Sequence, residues 1–435
     1  MGIGIGLGKG DDVRYAVSLD VVGSRLCVIG TSLVGNQSTA TSTTIRRTAQ
    51  SWVDWASALS NGMIQFPVWY DPAVIAGWEP DGAGTTRDFQ GLNCGVSGQT
   101  ALQIYDRRVS ILSYKADIYV LDMGTNDISS QTAEYIHNYR HLMATFLSEQ
   151  GKPVIVLPIL ARDASVWTEG GTEQLKALEV NRLSRESMRQ IPNVYIYDWN
   201  NRFVDQDTDF TPRADASIDG THFSGKSAYW VGKDFGNYIS QFITFSDGEM
   251  ASTNELPVFT GTGGSNTNTT GDVPDGYKFE RVSGVTAGVS SVGADYVQLA
   301  LTTTGAAGES LFYFRTASAD TTHTFADEWM MAKCLIETLT ASSSVLEIIL
   351  SFRDRGTAGL TASDGDVKPG ANFPPEEFAK LFSTPHNKFV SDSTQYRWRI
   401  EVRLDNSVAE TVTIKINQPS VKEVEDPIVR YGSIT

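Results

Sequence analysis

Leu26-Cys27-Val28-Ile29-Gly30-Thr31-Ser32-Leu33 begins as an apolar run, stops at a glycine and sets a serine two residues further on. A run this short, bounded by glycine, predicts a buried strand that delivers Ser32 to the rim of a sheet. Ile118-Tyr119-Val120-Leu121-Asp122-Met123 repeats the pattern and ends in Gly124-Thr125-Asn126-Asp127. Pro153-Val154-Ile155-Val156-Leu157 and Val194-Tyr195-Ile196-Tyr197 read as further buried strands. Helical spacing falls between them. Residues 51–59 pack Trp52, Ala56 and Leu59, and residues 132–149 align Tyr135, Ile136, Tyr139, Leu142, Met143 and Phe146 on one stripe. A third helix is expected at about 172–189. Strands alternating with helices predict an α/β fold, a parallel sheet covered on both faces, with its site at the strand C-termini.

Asp219-Gly220-Thr221-His222 supplies the chemistry that Ser32 lacks. A serine hydroxyl is weakly nucleophilic at neutral pH and needs a base, and imidazole titrates in the right range. His222 is the candidate base, and Asp219 the acid that holds its ring in the productive tautomer. Acyl transfer also needs donors aimed at the oxygen that turns negative, each worth roughly 3 kcal/mol of barrier. Three are available: the Ser32 amide, the amide of Gly98 in Asn93-Cys94-Gly95-Val96-Ser97-Gly98, and the Asn126 side chain. Gly95 lies in the same stretch. Gly98 is preferred for its place in Ser97-Gly98-Gln99-Thr100.

These segments, in this order, resemble the SGNH hydrolase superfamily, also called GDSL-like esterases, over about residues 25 to 245. The resemblance implies a three-layer α/β fold with a central parallel sheet. It implies Ser32 as nucleophile, His222 as base, Asp219 as its partner, and Ser32, Gly98 and Asn126 as the oxyanion hole, with no metal or cofactor. One departure is visible: the family often has Asp before the serine, and this chain has Thr31. His137 and His141 share the i, i+4 spacing of a metal pair, but Asn138 follows where a catalytic glutamate would stand and no third ligand is evident. They read as helix-surface histidines.

The chain of 435 residues is too long for one ordinary core. Its formal charge of −16 argues against a nucleic-acid or anionic-membrane partner, since either would require a basic face. Cys27, Cys94 and Cys334 are too few for a disulfide framework or a zinc cluster and read as buried free thiols, although adjacent strands would bring Cys27 and Cys94 within bridging reach. The Gly-Ile-Gly-Leu leader has neither the basic region nor the continuous apolar core of a secretory signal, and no later run is long enough to span a bilayer. A soluble protein is expected. Residues 1–24 read as a Gly-rich arm that resembles phage tail leaders, which would place the protein on a virion or outside the cell.

From residue 246 the composition shifts to Gly, Thr, Ser and Asn, which predicts a flexible linker over 247–275 between an esterase domain at 25–246 and an accessory domain at 276–435. The period then becomes two: Tyr396, Trp398, Ile400, Val402 and Leu404 alternate with charged residues, and Val412, Ile414 and Ile416 repeat the pattern. That predicts an antiparallel β-sandwich of jelly-roll type, similar to carbohydrate-binding modules. Trp329, Trp398 and Tyr396 are candidates for stacking on sugar, with a core position favoured for the last two. Trp69, Tyr70 and Trp78 could line either a sugar platform or an acyl pocket. The resemblance, which includes many acetyl esterases, and a sandwich suited to a polymeric glycan imply a serine esterase with an acetylated glycan or small ester as partner, with carbohydrate O-deacetylation the preferred reaction. The alternatives are a general esterase or lipase, and a glycan-binding virion adhesin. The sandwich would capture polymer or assemble a homo-oligomer, and the two cores would fold separately.

Overall fold

The computed structural model describes residues 23–35, 38–41, 44–60, 64–70, 90–205, 210–243, 254–366, 373–374 and 376–432. The arm at 1–22, Trp78 and the side chain of Tyr70 lie outside the described residues. A six-stranded parallel sheet forms the first part of the molecule. Its order is Val194–Ile196, Val154–Val156, Ile118–Leu121, Ser24–Gly30 and Ile64–Gln65, with Asn93–Gly95 also paired to Ser24–Gly30. The central strands Ser24–Gly30, Ile118–Leu121 and Val154–Val156 are short and largely apolar because both faces are covered. Trp52–Leu59 packs with Gly225–Ile239, while Ala133–Ser148 packs with Ala101–Asp106 and Thr172–Met188. The expected stripe on Ala133–Ser148 is displaced. Ala133, Ile136, Arg140, Met143, Ala144 and Leu147 are buried, while Leu142 is exposed.

The α/β reading holds, and so does a second, β-rich part. Its two sheets alternate as expected, with Tyr396, Trp398, Ile400, Val402 and Leu404 inward on Gln395–Asp405 and Val412, Ile414 and Ile416 inward on Thr411–Asn417. The sheets are mixed rather than purely antiparallel, and the parallel pairs stand towards their edges. Thr44–Thr48 runs parallel to Thr361–Asp366, and Val68–Tyr70 runs parallel to His386–Lys388. Both added strands come from the N-terminal half of the chain.

Two expectations about organisation therefore change. Gly263–Thr267 and Thr270–Gly271, inside the stretch expected as a linker, are strands paired to Val273–Ser283 and Ala287–Val292. Their side chains are mostly exposed, so backbone ladders hold them without a core. The parts also share apolar packing: one cluster of buried residues runs from Leu26 through Trp55 to Phe378 and Trp398. Trp55 meets Tyr229 at 5.3 Å on its own side and Phe378 at 5.1 Å on the other. Four buried charges join the same seam, Arg47 to Asp54 at 3.1 Å and Lys380 to Asp364 at 2.6 Å.

The aromatic side chains proposed for substrate take structural roles. Trp398 and Tyr396 are fully buried and Trp329 nearly so, which removes all three as sugar platforms. Trp69 is buried against Tyr114 and stacked on Tyr431, so it lines neither a sugar platform nor an acyl pocket. Cys27 and Cys94 are buried free thiols with sulfurs 3.6 Å apart, well beyond a covalent bond.

Candidate active site

Three neighbouring strands bring the motif residues to one edge. Gly30 is the register partner of Gly95, and Ile29 that of Leu121, so the turns that follow leave the sheet side by side. Gly30 is required by close approach, since a Cβ there would lie 2.8 Å from the Asp122 carbonyl oxygen. Ser32 then opens the short helix Ser32–Gly35.

His222 lies 190 residues downstream, yet its Nε2 is 2.9 Å from Ser32 Oγ. Its Nδ1 is 2.7 Å from Asp219 Oδ2. The other Asp219 oxygen accepts the backbone N–H groups of Thr221 at 3.0 Å and His222 at 2.8 Å. One carboxylate thus fixes both the ring and the loop that carries it. Partial burial works to raise the Asp219 pKa, but these hydrogen bonds outweigh it and hold the group below its ordinary value. It stays ionised at neutral pH, which suits an acid that supports an imidazolium. Ser217 Oγ donates to the His222 carbonyl at 3.0 Å, and Ser224 caps the helix Gly225–Ile239 that follows.

The candidate donors sit on the two adjacent turns. Gly98 has φ of +80°, a conformation that favours glycine, and is exposed. Asn126, in the turn Thr125–Asp127, donates from Nδ2 to the Gln99 carbonyl at 2.9 Å, which ties its amide to the Gly98 turn. Asp127 Oδ2 accepts the Ala101 N–H at 2.8 Å and braces the same two segments. Ser32, Gly98, Asn126, Asp219 and His222 are therefore assembled at one sheet edge. His137 and His141 are not part of it: His137 Nε2 lies 3.1 Å from Ser187 Oγ on the neighbouring helix.

Two residues escaped the sequence reading. Thr31 donates its hydroxyl to Asp122 Oδ2 at 2.9 Å, and both side chains are buried. A carboxylate thus reaches the position beside the nucleophile turn from the neighbouring strand rather than from the residue before the serine. Burial raises the Asp122 pKa, against the pull of the Thr31 hydroxyl and Arg140. The signal was an acid at the end of an apolar strand. Arg162 is the second. It follows the strand Val154–Val156, and its guanidinium donates to Thr221 Oγ1 at 3.3 Å and Thr125 Oγ1 at 3.4 Å. These threonines immediately precede His222 and Asn126. Burial lowers the Arg162 pKa, with Asp122 and Asp219 opposing. Nothing in the local sequence marks it, because the site reaches it only through the sheet.

A serine hydroxyl bonded to an imidazole that a carboxylate orients can attack an acyl carbon once the ring takes its proton. The sequence comparison agrees in class. Residues 33–227 match the model of the GDSL-like lipase/acylhydrolase family, a match that begins one residue after Ser32 and includes Gly98, Asn126, Asp219 and His222. The chain is thus similar to that family over 195 of its 435 residues. Among solved structures, a lipolytic protein of the G-D-S-L family from Desulfitobacterium hafniense is similar at 15% identity and a TM-score of 0.35, over 49% of this chain and 98% of that one. A carbohydrate esterase of family 3 from Talaromyces cellulolyticus is similar at 19% identity and a TM-score of 0.33, over 50% and 97%. An acetyl xylan esterase is similar at 12% identity and a TM-score of 0.34, over 49% and 99%. Nothing about substrate follows from likenesses this low. No curated protein matches the chain.

Proposed function

We propose that the protein is a serine esterase that works through an acyl-enzyme and that its substrate is an O-acetylated carbohydrate. The observation that carries the reading is the unbroken relay from Ser32 Oγ through His222 to Asp219, at 2.9 Å and 2.7 Å. In this reading Ser32 Oγ attacks the ester carbon while His222 Nε2 takes its proton. The Ser32 and Gly98 amides and the Asn126 side chain receive the oxyanion. The C–O bond to the sugar breaks, and His222 returns the proton to the departing hydroxyl. Water, deprotonated in turn by His222, cleaves the acetyl-Ser32 ester and releases acetate. The polar residues beside the relay, Thr125, Thr221 and Arg162, favour a hydroxyl-rich alcohol over a long acyl chain.

The test is hydrolysis of p-nitrophenyl esters of rising chain length, together with acetate release from O-acetylated glycans. Activity concentrated on acetyl esters and lost in Ser32→Ala is expected. Equal rates on long acyl chains would favour a general esterase, and no turnover of any ester would leave a glycan-binding adhesin.

A further inference from the structure

We propose that Arg162 recognises a carboxylate on the substrate, so that the glycan whose ester is cleaved is an acidic one with a hexuronate at the scissile acetyl group or next to it. The inference rests on the esterase reading for the reaction, and on the geometry of Arg162 for the charge.

Arginine carries five N–H donors in a planar fork that suits a carboxylate bidentately. Arg162 uses that fork poorly within the protein. Its two hydrogen bonds go to threonine hydroxyls and are long, at 3.3 Å and 3.4 Å, and among the described residues no carboxylate lies within ion-pair reach. The nearby acids are committed elsewhere. Asp219 accepts the His222 ring and two backbone N–H groups, and Asp122 accepts the Thr31 hydroxyl. The side chain is held in place all the same, with its guanidinium carbon 5.2 Å from the centre of the buried Trp167 ring and its head only partly covered. A cation partly withdrawn from water, positioned by a ring and left without an anion, is arranged to meet one from outside.

Its place decides which anion. Thr125 and Thr221 are the residues before Asn126 and His222, so a group bound to the fork lies beside the reacting ester. A six-membered sugar acid has its carboxylate and an acetylated hydroxyl on one ring, and an oligouronate presents the same pair on adjacent rings. Either brings a carboxylate to Arg162 while the acetyl group meets Ser32. The formal charge of −16 slows the encounter with a polyanion but does not set the choice between two bound sugars, which a short-range charged contact decides.

The experiment compares three substrates: p-nitrophenyl acetate, an O-acetylated methyl hexoside, and the hexuronoside that differs only in its carboxylate. Wild-type kcat/KM is expected to favour the hexuronoside over the hexoside by about 10- to 100-fold, the range of one charge-assisted contact. Arg162→Gln should erase that preference by lowering kcat/KM on the hexuronoside far more than on the hexoside or p-nitrophenyl acetate, while Arg162→Lys should keep part of it. A second measurement reads the contact without turnover: Ser32→Ala protein should bind a tetra-hexuronate more tightly than the neutral tetrasaccharide, and adding Arg162→Gln should remove the difference. Persistence of that difference-dependent binding in a protein that cleaves no ester would sink the esterase reading and keep this one. No preference for the acidic sugar in either measurement overturns it, and so does an equal fall on all three substrates in Arg162→Gln, which would make Arg162 a strut between Thr125 and Thr221.

Discussion

Replacing Lys380 with methionine is expected to destabilise the candidate esterase site from a distance, although Lys380 belongs to the sandwich. The ammonium is buried, 2.6 Å from Asp364 Oδ1 and 4.9 Å from the centre of the Trp55 ring. Asp364 has one other partner, the Ser383 N–H at 2.7 Å, and is the register partner of Arg47, which is itself paired to Asp54. Methionine keeps the apolar stem and deletes the charge, leaving Asp364 buried with a single donor. Breaking a buried pair in this way costs about 3–5 kcal/mol, whereas removing both charges is often nearly neutral. Lys380→Met should therefore lower Tm by about 3–6 °C, and Lys380→Met with Asp364→Leu should recover most of the loss. The assay follows unfolding by near-ultraviolet circular dichroism and by residual hydrolysis of p-nitrophenyl acetate. Because Trp55 joins Tyr229 and Phe378 in one cluster, both signals should move together. An activity midpoint left at the wild-type value while the spectroscopic midpoint falls would refute the shared core.

Three further outcomes are expected. A chain ending near Phe245 should fail to give a folded monomer, because it strips Phe378 from Trp55 and Tyr431 from Trp69; a soluble truncation with wild-type rate on a small ester would contradict this. Asn126→Ala should lower kcat by about two decades with a smaller change in KM, since an oxyanion donor acts mainly once charge develops; a change confined to KM in steady-state kinetics would point to substrate positioning instead. Burial pushes the Asp54 pKa up to about 6, against the pull of Arg47, so the folded state binds its proton more tightly than the unfolded chain. That contribution is present at low pH and lost as pH rises from about 4 through about 6; urea titrations at both ends of that window should show it, and Asp54→Asn should flatten the slope, an unchanged slope being the contrary result.

The turns of the candidate site were legible because each of them is local. Gly30-Thr31-Ser32, Gly98-Gln99, Gly124-Thr125-Asn126 and Asp219 to His222 are turns whose glycines and caps are written within a few residues, and a parallel sheet can only bring such turns to one edge. The sandwich core was legible for a related reason, since an eleven-residue strand such as Gln395–Asp405 repeats its inward residues often enough to fix a period. The seam between the two parts was not. Thr44–Thr48 is too short to show a period, and its partner Thr361–Asp366 lies some three hundred residues away, so no window of sequence contains both. The Gly-rich stretch at 263–271 misled for the opposite reason: its composition rules out a core but not a ladder, and backbone hydrogen bonds to Val273–Ser283 and Ala287–Val292 need no apolar side chain. Trp69 shows how far this reaches into function. Read alone, an aromatic side chain between two site motifs suggests a substrate surface; once Tyr431 stacks on it from the far end of the chain, it is part of what keeps the α/β half and the sandwich in one core.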